Sequence, residues 1–314
     1  IENNIWDGTE ASSYGGGTGT STDPYLITNG AELYHLVNEC YRNSDGTKGT
    51  YYKITNDIVL NDTSVANWTA SAHDFGISRP YNMWGFRGHL DGANHIIKGL
   101  YMNESTNDYI GLFPTAGQCA TIDNLGIVDS YIAGKNAGAF IGGCIGRSGD
   151  PFINQTKLTN CFVDTTVTIN GSASNGGLVG YNDANLRFTN CYATANLGTA
   201  QAGGLAGRSI WSGGAGTGNL YATQCYTTAA KYMSWSDISL WKSGAIVNYC
   251  GVTEAAKGEG AKTAMPDLDF ETIYPTKAGD YPILKVFADQ SEDIIWNGTI
   301  ATGFAGGDGS ANNP

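Results

Sequence analysis

The chain has 314 residues, 44 of them glycine, with only 15% charged side chains and a formal net charge of −12. An acidic balance excludes the basic face that nucleic-acid phosphates demand and disfavours anionic membranes, and no apolar run approaches a bilayer span. Glycine at this level without a collagen triplet period implies many tight turns, and a chain of this length can bury a substantial core.

Taken in order, residues 1–28 read as a glycine-rich opening segment. The first residue is Ile1 rather than a start methionine, from which a removed upstream leader is expected. The glycine stretches at 15–19 and 213–218 lack a Gly-Lys-Ser/Thr ending, so they are not phosphate loops and read as flexible connectors. Residues 29–42 predict the one amphipathic helix. Asn29 and Glu32 have capping-box spacing, and Leu33, Leu36, Val37, Cys40 and Tyr41 follow at helical periodicity. Such a helix would cap the open end of a stacked core. His35 within it reads as a solvated helix residue. Residues 51–60 and 86–100 alternate apolar and polar side chains and contain turn signals, as early strands should.

A repeat follows. Glycine–apolar–glycine boxes occur at Gly138-Ala139-Phe140-Ile141-Gly142, Gly176-Gly177-Leu178-Val179-Gly180 and Gly203-Gly204-Leu205-Ala206-Gly207, with weaker copies at 110–113 and 244–247. Behind the boxes come Asn160-Cys161-Phe162, Asn190-Cys191-Tyr192 and Gln224-Cys225-Tyr226, with Asn124-Leu125-Gly126 in the earlier slot. Units this short cannot close a core alone and must stack. The expected fold is therefore all-β, a right-handed parallel β-helix (solenoid) with a short N-terminal capping helix. Leu112, Phe140, Leu178, Leu205 and Ile246 would form one inward row, and Cys161, Cys191 and Cys225 a second. The seven cysteines include no CxxC pair, and three in a row cannot all pair, so reduced core thiols are expected. Asn160 and Asn190 predict an amide ladder at a turn. Residues 264–284 break the period with prolines and read as a C-terminal cap.

The chain then begins again. Ile295-Trp296-Asn297-Gly298-Thr299 onward to Pro314 restates Ile5-Trp6-Asp7-Gly8-Thr9 onward to Pro24. The expected organisation is an opening segment (1–28), the stacked region with its caps (29–288), and the start of a second tandem module (289–314).

The box at 176–180, the stretch Phe86-x-Gly88-x-Leu90-Asp91-Gly92 through Gly99-Leu100, and the closing Tyr281-Pro282-Ile283-Leu284 together resemble the GLUG-repeat region of bacterial surface proteins, over roughly residues 50–285. That resemblance implies an extracellular or cell-surface, adhesin-like or stalk module. GLUG regions also accompany IgA1-specific metallopeptidases, whose chemistry resides in a separate His-Glu-x-x-His zinc domain. His35, His73, His89 and His95 make no such motif. The resemblance therefore implies a non-catalytic chain, with no cofactor or metal, and partners that are a host or environmental glycan, a glycoprotein, or immunoglobulin A.

Two site readings come from the residues themselves. Trp211, Tyr232, Trp235 and Trp241 cluster in the later insertions, and aromatic faces on projecting loops suit sugar rings. The competing reading is that they cover the side of the core. A polysaccharide-active enzyme would need spaced carboxylates. Asp150, Asp164 and Asp183 beside Arg147, Lys157 and Arg187 are the candidates, although aspartate is also a routine turn former.

Overall fold

The computed structural model describes residues 5–42, 47–76, 85–104, 107–117, 119–145, 155–209, 220–233 and 248–288. The described strands form three sheets, and the pairings between named strands are all parallel. From His89 onward the chain visits the sheets in a fixed order. His89–Lys98 lies in the first sheet, Tyr101–Asn103 in the third and Phe113–Ala116 in the second. Thr121–Val128, Tyr131–Gly138 and Ile141–Ile145 repeat that order, and Thr168–Gly176 and Val179–Asp183 continue it.

The glycine boxes sit where the chain turns from the third sheet into the second. Their apolar members Leu112, Phe140, Leu178 and Leu205 are fully buried. Each hands its backbone to the next: Leu112 N–H donates to Ala139 O (3.0 Å), Phe140 N–H to Leu178 O (3.0 Å) and Leu178 N–H to Leu205 O (3.0 Å). The glycines are needed for closeness. A Cβ on Gly176 would lie 1.8 Å from Val179 O and 2.5 Å from Gly207 N. Ile246, the expected last member of the row, lies outside the described residues.

The cysteine row is present. Cys161, Cys191 and Cys225 are free and fully buried. Their thiols turn to backbone carbonyls, as in Cys191 Sγ to Thr189 O at 3.2 Å. The amide ladder is present too and is longer than expected. Asn190 Nδ2 donates to Asn160 Oδ1 (2.9 Å), Asn160 Nδ2 to Asn124 Oδ1 (2.8 Å), and Asn124 Nδ2 to Asp91 Oδ1 (3.0 Å). Asn124, Asn160, Asn190 and Gln224 all hold φ between 52° and 55°. Asparagine tolerates this left-handed bend better than most residues, which explains its recurrence in the repeat.

The N-terminal helix, α1, spans Gly30–Arg42. Its cap differs by one residue from the simple box. Asn29 Oδ1 accepts from Glu32 N–H (3.0 Å), but the Glu32 carboxylate reaches back to Thr28 N–H (2.6 Å). Residues 15–19 are not the flexible connector that their composition predicts. Gly15 N–H donates to Leu26 O (2.9 Å), Leu26 N–H to Gly16 O (2.9 Å), and Tyr51 N–H to Gly19 O (2.9 Å). Trp6 is buried against Tyr34, His73 and Phe75. The corresponding stretch at 213–218 lies outside the described residues.

The proline-rich segment near the C-terminus runs along a side, where an end cap was expected. Ile96, Gly126, Phe162, Tyr192, Tyr226 and Tyr249 are register partners across the first sheet. Phe162–Tyr192 and Tyr192–Tyr226 stack at 5.1 and 5.0 Å. Residues 252–287 lie over this stack, and Val252, Met265, Leu268, Tyr274, Tyr281 and Leu284 form a second apolar cluster with it. An outward row of large rings would otherwise expose several side chains, each worth roughly 2–3 kcal/mol when buried. Covering that surface is therefore the stronger demand on the segment.

Candidate ligand-binding face

One stretch of the first sheet keeps its outer face free of this strap. Register places Tyr51, His89, Thr121, Lys157, Arg187 and Tyr221 in one row across six strands. The inward neighbours Leu90, Ile122, Leu158 and Phe188 are fully buried, so strand alternation turns the polar row outward. A parallel outward row runs Lys53, Asp91, Asp123, Thr159, Thr189 and Thr223. Beyond it lies the amide ladder.

The row is organised at its ends by aromatic faces. Tyr51 and His89 stack with ring centroids 4.4 Å apart, and the Arg187 guanidinium lies 5.2 Å from the Tyr221 ring centroid. His89 Nδ1 is 2.9 Å from Thr121 Oγ1, and Arg187 Nε donates to Gln155 Oε1 at 2.9 Å. Burial holds the His89 imidazole below its ordinary value, with Lys157 adding to the effect, which favours the neutral ring near neutral pH. Burial, reinforced by the Asp91 charge, lifts the Asp123 carboxyl above its ordinary value. A shallow groove of about 420 Å³ follows this face, lined by Tyr51, Lys53, His89, Asp91, Thr121 and Asp123 and walled by Ser21 and Pro24.

Chemically, the face offers a row of side-chain donors at Thr121, Lys157 and Arg187 beside the carboxylate acceptors of Asp91 and Asp123, at strand spacing, about 4.8 Å. That suits an extended polar chain laid across the strands. Asp91 and Asp123 are the two carboxylates closest in register, but Asp91 Oδ1 already accepts from Ala93 N–H (2.9 Å) and Asn124 Nδ2 (3.0 Å). Asp91 therefore serves the turn and the ladder, while the Asp123 carboxylate is hydrogen-bonded to Thr159 and Thr121.

The residues singled out from sequence fall partly within the described residues. Tyr232 is half-buried and packed against the main core, and its carbonyl accepts from Leu205 and Ala206 N–H (3.0 Å each). Trp211, Trp235 and Trp241 lie outside the described residues, as do Asp150 and Arg147. Asp164 borders a groove of about 440 Å³ between the strap and the first sheet. Its Oδ1 accepts from Thr166 N–H (3.0 Å), and burial raises its carboxyl above the ordinary value. Asp183 ends the strand Val179–Asp183 in the second sheet. Lys157 and Arg187 do come together, in the outward row. His35 is bonded to Glu10 (3.0 Å), so it is not a free surface residue, and His95 reaches Asp57 (3.1 Å). Among the described residues no group of three or more His, Cys, Asp or Glu could hold a metal ion, and no described helix is long and apolar enough to cross a membrane. The outward row was missed from sequence. Its signal was present: Lys157, Arg187 and Tyr221 each stand three residues before Asn160, Asn190 and Gln224.

No family model matches the chain. Two curated proteins share sequence with it. One is a glycine-rich candidate membrane protein of Evansella cellulosilytica, 30% identical over 142 residues, 44% of this chain and 15% of its own length. The other is halomucin of Haloquadratum walsbyi, 30% identical over 191 residues, 60% of this chain and 2% of its own length. The chain thus spans a small fraction of either relative. Among solved structures, a candidate immunoglobulin A1 protease from Bacteroides ovatus aligns with a TM-score of 0.53 and 17% identity, covering 87% of this chain and 95% of that one. At that identity the likeness concerns the fold alone.

Proposed function

We propose that this chain is a non-catalytic, extracellular or cell-surface module of a larger protein, built as a right-handed parallel β-helix of GLUG type. Its adhesin-like role would be to hold a glycan or glycoprotein on the outward row from Tyr51 to Tyr221. The observation that carries the reading is that row itself: six register-matched positions with two cations, of which Tyr51, His89, Thr121, Lys157 and Arg187 are at least partly exposed and Tyr221 is buried behind Arg187, while the neighbouring aromatic row is covered. Sequence shared with halomucin and with a glycine-rich candidate membrane protein supports the surface setting. In the same reading, residues 289–314 begin a second module.

A second reading is an accessory, substrate-presenting region of an IgA1-specific peptidase. It is favoured by the fold likeness to the candidate immunoglobulin A1 protease. A binding screen against glycans, mucin and immunoglobulin A separates the two. A saturable glycan or mucin signal lost on Arg187→Ala and Tyr51→Ala supports the row, and one lost on Trp235→Ala moves the site to the later insertion. Immunoglobulin A as the one binder favours the accessory reading, and a blank panel with folded protein leaves a stalk.

A further inference from the structure

The geometry points to a second binding site, in the groove between the strap and the first sheet, for an aliphatic ammonium or guanidinium group: the head of a lysine or arginine side chain, or of a free diamine. This groove shares no lining residue with the one along the outward row, so the two sites stand or fall separately.

The site begins with a hydroxyl that the aromatic stack does not need. Phe162, Tyr192 and Tyr226 occupy one register position on successive strands and stack ring on ring. Phe162 stacks without a hydroxyl. The Tyr226 hydroxyl donates to Pro282 O in the strap. The Tyr192 hydroxyl, one strand back, has no hydrogen-bond partner among the described residues, although Tyr192 is only 4% exposed. A buried hydroxyl left unpaired is costly. What remains open of Tyr192 lines the groove. Burial, then the charges of Asp164 and Asp280, raise its phenol, so its polar end sits with those two carboxylates.

The same groove carries more negative charge than it balances. Asp57, Asp164 and Asp280 border it with one ammonium, Lys277, which is already bonded to Asp280 Oδ2 at 3.0 Å. Asp57 Oδ1 accepts from Ile96 N–H (3.0 Å), with His95 Nδ1 at 3.1 Å. Asp164 is half-buried, and its Oδ1 accepts from Thr166 N–H (3.0 Å) and Thr166 Oγ1 (2.5 Å). Its second oxygen has no donor among the described residues. Carboxylates only accept, so the occupant must donate, and a cation both donates and offsets the charge. A metal ion fits less well, because no three His, Cys, Asp or Glu among the described residues are grouped to hold one. Ile96, Pro282 and Phe287 supply an apolar wall, along which a methylene stem can lie with its head at the carboxylates. The volume of about 440 Å³ suits one such side chain.

The test titrates the full chain by calorimetry with the acetylated amides of lysine, arginine and neutral norleucine, with diaminopentane and with methyl glucoside. Saturable binding of the cationic probes, absent for the norleucine probe, is expected. Asp164→Asn keeps the Oδ1 acceptor for Thr166 and should weaken that binding about tenfold, and Tyr192→Phe about fivefold. Tyr192→Phe should also leave the urea midpoint at or above that of the parent, because no partner is lost. A lower midpoint would reveal a structural hydrogen bond and overturn the site. Tighter binding of diaminopentane than of the lysine amide assigns the groove to a free amine, and the reverse order assigns it to a side chain of a partner protein. Norleucine amide binding as well as lysine amide, or glucoside binding lost on Asp164→Asn, overturns the cation, as does folded protein that binds no cationic probe. Arg187→Ala and Tyr51→Ala should leave the cationic probes bound as in the parent, and loss of binding there refutes the placement in this groove.

Discussion

Replacing Asn160 tests whether the amide ladder stabilises the fold or merely decorates it. Asn160 donates to Asn124 Oδ1 at 2.8 Å and accepts from Asn190 Nδ2 at 2.9 Å, at a backbone φ of 52°. Each hydrogen bond contributes about 0.5–1.5 kcal/mol net. Alanine in the left-handed region costs about 1–2 kcal/mol more. Asn160→Ala is therefore expected to lose about 3 kcal/mol. Asn160→Gly loses the same two bonds but relieves the backbone, offset by roughly 0.5–1 kcal/mol of unfolded-state entropy, for a loss of about 2 kcal/mol. Urea denaturation of the three proteins, compared at a common slope, gives the order parent, glycine, alanine. A glycine variant less stable than the alanine variant would refute the backbone half of this reasoning. An alanine variant within about 0.5 kcal/mol of the parent would refute both halves.

Three further outcomes are expected. Tyr226→Phe removes the hydroxyl that donates to Pro282 O within a fully buried site. It should cost about 1–3 kcal/mol and speed proteolysis within 252–288 before the rest of the chain is cut. Asp123→Asn should stabilise the protein near neutral pH and not at acid pH. The Asp123 carboxyl is raised in the fold by burial first, so its ionisation penalty is absent below the unfolded value and grows as pH rises through the folded one. Urea melts showing equal gains at both pH extremes would contradict this. Among the seven cysteines, Cys119 and Cys250 are exposed, while Cys40, Cys144, Cys161, Cys191 and Cys225 are buried. Burial also pushes the Cys144 thiol up to about 12. Maleimide should label two thiols in native protein and seven in denaturant, and labelling at Cys191 without unfolding would contradict the inward row.

Much of the scaffold was legible because it repeats. The glycine boxes mark places where backbones come within a Cβ of each other, as at Gly176. The asparagines mark a left-handed bend, and the cysteines mark an inward position. Each requirement is local and recurs once per circuit, so the spacing exposes it. The helix was legible from its own periodicity and cap. The outward row was less so, because its side chains change type from Tyr51 and His89 to Lys157 and Arg187, and its one sequence signal is the constant offset of Lys157, Arg187 and Tyr221 three residues before Asn160, Asn190 and Gln224. The glycines at 15–19 misled because composition alone cannot separate a slack linker from a tight turn pinned by distant backbone.

The sequence by itself determined parallel strands, buried thiols, a ladder of amides and an amphipathic helix, since all follow from periodicity and side-chain size. Only the tertiary structure decided which outer face stays open. The aromatic row at Phe162, Tyr192 and Tyr226 is covered by residues as far away as Pro282, 56 positions beyond Tyr226. The row from Tyr51 to Arg187 lies on the same sheet, and among the described residues no such strap crosses it. No local pattern encodes that choice. It depends on which distant segment gains most by leaving water, and several large rings in register outweigh a row of polar side chains already satisfied by solvent.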